Sequence, residues 1–273
     1  EVISADSRQI YRGMDIGTGK DLSDYIVNGQ QVPCHLVDIV DAGYRYNVFE
    51  YQRDFLKVYE SMRSRGLLPV VCGGSGMYVD SVVSGYRLIQ VPFNEPLRQS
   101  LEGKTLRELT DILSGYKHLH NKTDVDTIKR AVRAIEIEEY YLSEGVPETS
   151  LPEINPLIIG IMFDRDTRRE RISRRLRERI EGGMVQEVQG LLDSGIHPDD
   201  LIYYGLEYKY VTLYLLDAIS REEMFTKLET EIHRFAKRQM TWFRGMERRG
   251  IEICWIDGAL PEEEKVEMVL RQL

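Results

Sequence analysis

The chain of 273 residues carries 36 Lys and Arg against 45 Asp and Glu, a formal net charge of −9, with 42% hydrophobic residues. That composition supports one large or two smaller globular domains and argues against a generic, histone-like affinity for nucleic acid, leaving only local basic patches for such a role. Three widely spaced cysteines, Cys34, Cys72 and Cys254, form neither a disulfide framework nor a zinc site, and no apolar run approaches membrane-spanning length, so a cytoplasmic protein without a membrane partner is expected.

In chain order, short apolar runs bounded by turn residues recur as EVIS, CHLVDIV (Cys34–Val40), LLPVVCGG, LIIGIMF and IEICWID. Runs this apolar suit strands of a parallel sheet covered by helices, an α/β arrangement. Glu1 stands where a start methionine would, and EVIS reads as mid-strand, so a further N-terminal piece is expected upstream. From Asn47 to Arg65, Val48, Tyr51, Phe55, Val58, Tyr59 and Met62 fall at helical spacing, with Asn47 placed to cap and Gly66 to stop the helix. Between Val91 and Pro152 the strand pattern disappears, and two helical patterns, Thr105 to Leu113 and Thr123 to Leu142, are set off by Pro92, Pro96 and the EGVPETSLPEINP exit. This predicts an α/β core over 1–91 and 151–273 with an inserted, small all-helical subdomain over 92–150. A closing strand is expected from Ile251 to Ile256.

Asp6 sits where a strand hands over to a loop, the edge at which open parallel sheets bind ligands. An Asp there also caps its own turn routinely, and both readings stand on sequence alone. GTGKD, Gly17 to Asp21, nearly spells the end of a phosphate-binding loop, but Met14 occupies its glycine position and Asp21 its Ser/Thr position, so no phosphate cradle is read there. CGGSGMY, Cys72 to Tyr78, places glycines and Ser75 at a strand-to-helix turn, where backbone N–H groups can hold an anion or where glycine is simply needed for space. From Arg165 to Arg179 eight Arg stand against three acids, and Arg168, Arg171, Arg175 and Arg179 share one helical face. KRAVR puts Lys129, Arg130 and Arg133 on one side of an inserted helix, and a third basic cluster surrounds Trp242. Each is also readable as a solvated, ion-paired face.

ISADSRQIYRGMDIGTGK, HLVDI, PVVCGGSGMY, RAVRAIEI and RFAKRQMTWFR, in that order, resemble the tRNA dimethylallyltransferase (isopentenyltransferase) family over nearly the whole chain. The resemblance implies a P-loop-NTPase-like parallel-sheet core flanked by helices, with a helical insertion gripping the anticodon stem. It implies transfer of a dimethylallyl group from dimethylallyl diphosphate to the N6 amine of the adenosine 3′-adjacent to the anticodon. Asp6 then corresponds to the general base, Ser7, Arg8 and Gln9 to the strip touching the flipped base, Ser75 to a neighbour of that base, Arg175 to the catalytic arginine holding the diphosphate, and Lys129, Arg130 and Arg133 to tRNA contacts. Magnesium is implied with the diphosphate, without a metal site built by the protein, and the enzyme is expected to act as a monomer of the bacterial type. The family's Gly-rich loop lies about one βα unit before SADS, outside this chain, and its usual Gly-Tyr-Lys or Gly-Tyr-Arg is replaced by YYGLEYKYV, so Tyr203 to Glu207 correspond only loosely to a tRNA-contacting segment. Two alternatives remain at this point: an adenylate dimethylallyltransferase using free nucleotide, which has no need of the basic inserted helix, and a catalytically inactive RNA-binding homologue.

Overall fold

The structure, a computed structural model, describes residues 1–117, 123–145 and 151–273. The chain divides into two compact units, one of Glu1–Tyr86 with Glu153–Leu273 and one of Arg87–Pro152.

The first unit begins with β1 (Val2–Ser4), a short hairpin of β2 (Ile26–Val27) and β3 (Gln30–Gln31), and β4 (Cys34–His35). The hairpin turns through Asn28 and Gly29 at φ 51° and 77°, the left-handed pair that Asn-Gly supplies at low steric cost. After β4 the expected strand Cys34–Val40 stops at two residues, because Leu36 and Asp38 take φ of 61° and 54°. Leu36 still buries its side chain, and Asp38 turns its carboxylate onto Lys20. Helix α1 (Val48–Ser64) follows the spacing read from the sequence. Asn47 accepts from the N–H groups of Phe49 and Glu50 while the Glu50 carboxylate accepts from the Asn47 N–H, a capping box worth about 1 kcal/mol. Gly66 ends the turn at φ 72°, and Tyr51, Phe55 and Met62 are buried. β5 (Val70–Cys72) then pairs with β1, and α2 (Gly76–Val83) leaves its end.

The second unit is helical: α3 (Glu95–Leu101), α4 (Leu106–Tyr116) and α5 (Ile128–Glu144). Pro96 opens α3, a helix the sequence reading did not include; it sits in the first turn, where its missing N–H would be unpaired anyway. α5 begins five residues later than the Thr123 start expected, since residues 123–125 form a separate 3₁₀ turn and Thr127 caps the helix. Leu101, Leu109, Leu113, Ala131, Ala134 and Ile135 make its core. Truncating Leu109 to Ala would cost about 2–5 kcal/mol. Residues 146–150 of the exit segment lie outside the described residues.

The first unit resumes with β6 (Ile159–Met162), α6 (Arg165–Arg179), a π turn over Ile180–Met184, α7 (Val185–Asp193), α8 (Pro198–Tyr204), α9 (Leu206–Leu215), α10 (Arg221–Arg248), β7 (Cys254–Asp257) and α11 (Glu262–Leu270). Gly183, at φ 105°, interrupts the helical path so that α7 departs from the line of α6. All the long-range ladders are parallel, as expected, but they come in two parts, β4–β1–β5 and β6–β7. Among the described residues no strand pairs with the second edge of β5 or of β6. Val70 and Val71 are 50% and 42% exposed, and Ile161 and Met162 49% and 41%, although their pattern is that of strands covered on both faces. The closing strand lies three residues later than read, at Cys254–Asp257. The main core joins Ile3 and Ala5 of the β1 edge to Leu176, Met184, Val188, Tyr204 and Tyr208 of the later helices.

Candidate active site

The carboxyl ends of β1 and β5 are locked together by main chain. Ala5 N–H donates to Cys72 O at 2.7 Å, and Ser75 N–H donates to Ala5 O at 3.2 Å. A side chain at Gly73 would put its Cβ 2.4 Å from the Ala5 carbonyl carbon, so glycine is there for close approach. Ser7 N–H then donates to Ser75 Oγ at 2.9 Å, and the two hydroxyls meet at 3.1 Å. Asp6 stands between these contacts. Its Oδ1 accepts the Arg8 N–H at 2.8 Å, the self-capping turn anticipated as one reading, while its Oδ2 has no partner among the described residues. The turn fixes the carboxylate, and the second oxygen remains able to accept a proton.

Gln9 is tied inward: its Nε2 donates to Gly19 O at 3.0 Å, and its Oε1 accepts from Ser4. Arg8 instead reaches Tyr203, its guanidinium 5.9 Å from the ring centroid; Arg45, paired with Asp200 at 3.0 Å, lies 5.2 Å from the same ring. Arg45 is thus a site neighbour that sequence reasoning did not assign, and the exposed Tyr203 one it placed only loosely in a tRNA-contacting segment. The paired tyrosines before Gly205 were the only signal. On the other side, Gln239 donates to Gly74 O at 2.7 Å and Trp242 packs where a Gly76 side chain would go, so part of the third basic cluster braces the CGGSG turn.

Lys20 is buried and spends its ammonium on Tyr11 O, on Asp15 at 2.8 Å and on Asp38. The near-match to a phosphate loop is therefore an internal ion cluster. The loop before it is gripped by Glu187 of α7, whose carboxylate accepts the N–H groups of Asp15, Ile16 and Gly17 at 2.8, 2.6 and 3.1 Å and the Tyr208 hydroxyl at 2.6 Å.

Arg175 projects from α6. Desolvation first, and then the neighbouring Arg179 and Arg171, hold its pKa below the usual arginine value, while Glu207 and Asp21 act in the opposite sense. Burial pushes the Glu207 carboxyl up; its own backbone amide, Arg179 and Arg175 oppose that, and Asp6 adds to it. Asp6, Arg175, Arg179 and Glu207 therefore share one electrostatic neighbourhood. Glu207 was not assigned from sequence beyond its loose place in a tRNA-contacting segment. Arg171 rests on Phe163, 4.5 Å from the ring centroid.

In the helical unit, Lys129 is exposed, and Arg130 is exposed and paired with Asp126 one turn away. Arg133 is only half exposed: it pairs with Glu136, donates to Val91 O at 2.8 Å and lies 5.6 Å from the Phe93 ring. Arg98, which the sequence did not single out, binds Glu136 through two nitrogens at 2.9 and 3.0 Å and stacks 4.2 Å from the same ring. The Glu136 side chain is fully buried. Burial alone would raise its pKa, but the Arg98 hydrogen bond, then the Asn94 N–H at 2.7 Å and Arg133, hold it down to about 2.

Among the described residues no three His, Cys, Asp or Glu side chains converge as a metal cage, and no helix is long and apolar enough to cross a membrane. The family model described as IPP transferase matches residues 9–246. The tRNA dimethylallyltransferase 2 of Bacteroides fragilis is 64% identical over 273 residues, covering 100% of this chain and 89% of its own length. The tRNA dimethylallyltransferase 1 of Parabacteroides distasonis is 63% identical with the same coverage. The solved structure of a tRNA isopentenylpyrophosphate transferase from Bacillus halodurans matches 100% of this chain and 86% of its own, with a TM-score of 0.69 and 30% identity.

Proposed function

This chain belongs to the IPP transferase family, and on that premise we propose that it transfers a dimethylallyl group from dimethylallyl diphosphate to the N6 amine of the adenosine 3′-adjacent to the anticodon of tRNA. The observation that carries the reading is the Asp6 carboxylate, turn-fixed at the carboxyl edge of β1 beside the Ser7–Ser75 bridge, in a chain 64% identical over its whole length to a curated tRNA dimethylallyltransferase.

The N6 lone pair attacks the allylic carbon, the carbon–oxygen bond to the diphosphate breaks, and the amine proton passes to Asp6. Little basicity is required, because the aryl amine becomes acidic only as the new bond forms. The adenine must leave its stack to reach the carboxylate, which suits a rim where Arg8 and Tyr203 offer planar groups to a displaced nucleotide. Arg175 accepts the charge that grows on the leaving diphosphate, its planar fork matching phosphate oxygens. A magnesium ion bound with the diphosphate would supply positive charge against its oxygens. Asp21 and Glu207, both in electrostatic reach of Arg175, are available to it. Lys129 and Arg130 of the helical unit are assigned to phosphates of the anticodon stem, and the reaction to the cytoplasm.

The test is incubation of the purified full-length protein with labelled dimethylallyl diphosphate and either tRNA or free AMP, followed by nucleoside mass analysis. A dimethylallyl adenosine recovered only from tRNA supports the proposal. Label in AMP and none in tRNA selects the free-nucleotide alternative, and label in neither rejects transfer.

A further inference from the structure

The loop Asp15–Lys20 has the look of an anion cradle but cannot serve as one. Its three successive N–H groups, at Asp15, Ile16 and Gly17, are already taken by Glu187, and its lysine by Asp15 and Asp38. What lies over this clamped loop is the guanidinium of Arg179. Its Nη1 is 3.5 Å from Gly17 O, and its Nη2 fills the space beside Gly19, where a Cβ would sit 1.8 Å away. Gly19 is at φ 68°, so both its backbone and its missing side chain are needed for this seat.

Arg179 is one helical turn from Arg175 on α6. Among the described residues neither makes an ion pair, whereas Arg174 on the same helix pairs with Glu178 at 3.7 Å. Two guanidinium groups on adjacent turns, one of them seated on rigid main chain, leave a concentration of N–H donors and positive charge that Glu207 and Asp21 offset at a distance but that no carboxylate binds directly among the described residues. Desolvation first, and then repulsion from Arg179, lower the pKa of Arg175. Positive charge of this kind, gathered beside fixed main chain, is matched by a polyanion with several oxygens.

We propose that Arg179 is a second diphosphate-binding residue, gripping the donor together with Arg175, and that the Glu187-clamped loop is the seat that aims it. This inference rests on the donor named above. It assigns the near-match GTGK a role opposite to its appearance: the loop binds an arginine, and the arginine binds the phosphate.

Two measurements on the full-length protein test it. Titration calorimetry with inorganic pyrophosphate and magnesium reads anion binding directly. Steady-state kinetics with dimethylallyl diphosphate and tRNA varied in turn separate the two substrates. Arg179→Ala should weaken pyrophosphate binding and raise the donor KM by about tenfold or more, the worth of one charge-assisted hydrogen bond, while the tRNA KM stays within about twofold. Arg179→Gln keeps a donor for Gly17 O without the charge and should show the same loss; Arg179→Lys should restore part of it. Gly19→Ala, which unseats the guanidinium without removing it, should also weaken pyrophosphate binding. Parent-like pyrophosphate affinity in both Arg179→Ala and Arg179→Gln overturns the inference. If the parent binds pyrophosphate but modifies no tRNA, the substrate reading fails while the role of Arg179 as an anion ligand is still decided by the calorimetry.

Discussion

The backbone N–H of Ser7 is bound to the hydroxyl of Ser75 at 2.9 Å across 68 positions of sequence. Through this contact the ends of β1 and β5 behave as one rim, and Asp6 is held between a turn of its own and a loop from another strand. A base that must meet a proton within hydrogen-bond distance needs that kind of external brace.

Replacing Asp6 by Asn keeps the turn, since an amide oxygen can still accept the Arg8 N–H. It removes the proton acceptor. Turnover should fall by about two to four powers of ten with tRNA affinity nearly intact. Single-turnover assays with saturating tRNA decide it, and a loss below about tenfold would remove Asp6 from the chemistry.

Arg175→Ala should impair use of the dimethylallyl donor far more than binding of tRNA. Donor and tRNA titrations on the same variant read the two effects. Unchanged donor kinetics together with weakened tRNA binding would move Arg175 to the RNA surface.

Arg130 already shares its charge with Asp126, and Arg133 is committed to Glu136 and Val91. A double change of Lys129 and Arg130 to Ala should therefore flatten the log–log salt dependence of anticodon stem-loop binding by about one to two units. Choice among loop sequences should change little, because phosphate contacts position RNA without reading it. An unchanged slope in a fluorescence titration at several salt concentrations would take this face out of the binding site.

Glu136 is ionised in the folded helical unit down to about pH 2, below its ordinary value of 4.5. A carboxyl with a lowered folded pKa contributes stability that is fully present above 4.5 and is lost as pH falls from there towards 2. Urea denaturation between pH 6 and pH 3 should show this loss in the parent. Glu136→Gln should be less stable at neutral pH and show a flatter pH dependence. Arg98→Ala should cost less than the roughly 3–5 kcal/mol of a stranded buried charge, because Arg133 and the Asn94 N–H still hold Glu136. A parent and a Glu136→Gln variant with parallel pH profiles would contradict the assignment.

What the sequence determined on its own is local. Asn47 with Glu50 three positions on, the apolar stripe of α1 and Gly66 act within a few residues, and the helix lies where they place it. The Asp6 turn, the one-turn register of Arg175 and Arg179, and the family motifs are legible for the same reason. What tertiary structure decided are the interactions whose partners lie far along the chain. Leu36 and Asp38 leave the strand path because one is drawn into the core and the other onto Lys20, so an apolar run read as a strand becomes a bend. Lys20 looks like a phosphate ligand until Asp15 and Asp38 close on it. Glu187 lies 172 positions from Asp15, and nothing near it in sequence announces that it will take three amides of a loop. Arg133 reads as one of three equivalent basic residues, yet the buried Glu136 removes it from the free set while Lys129 stays in solvent. Backbone preferences and helical periodicity are properties of neighbours in sequence. The partner of a buried charge is set by which segments the core brings together, and that is decided only when the whole chain packs.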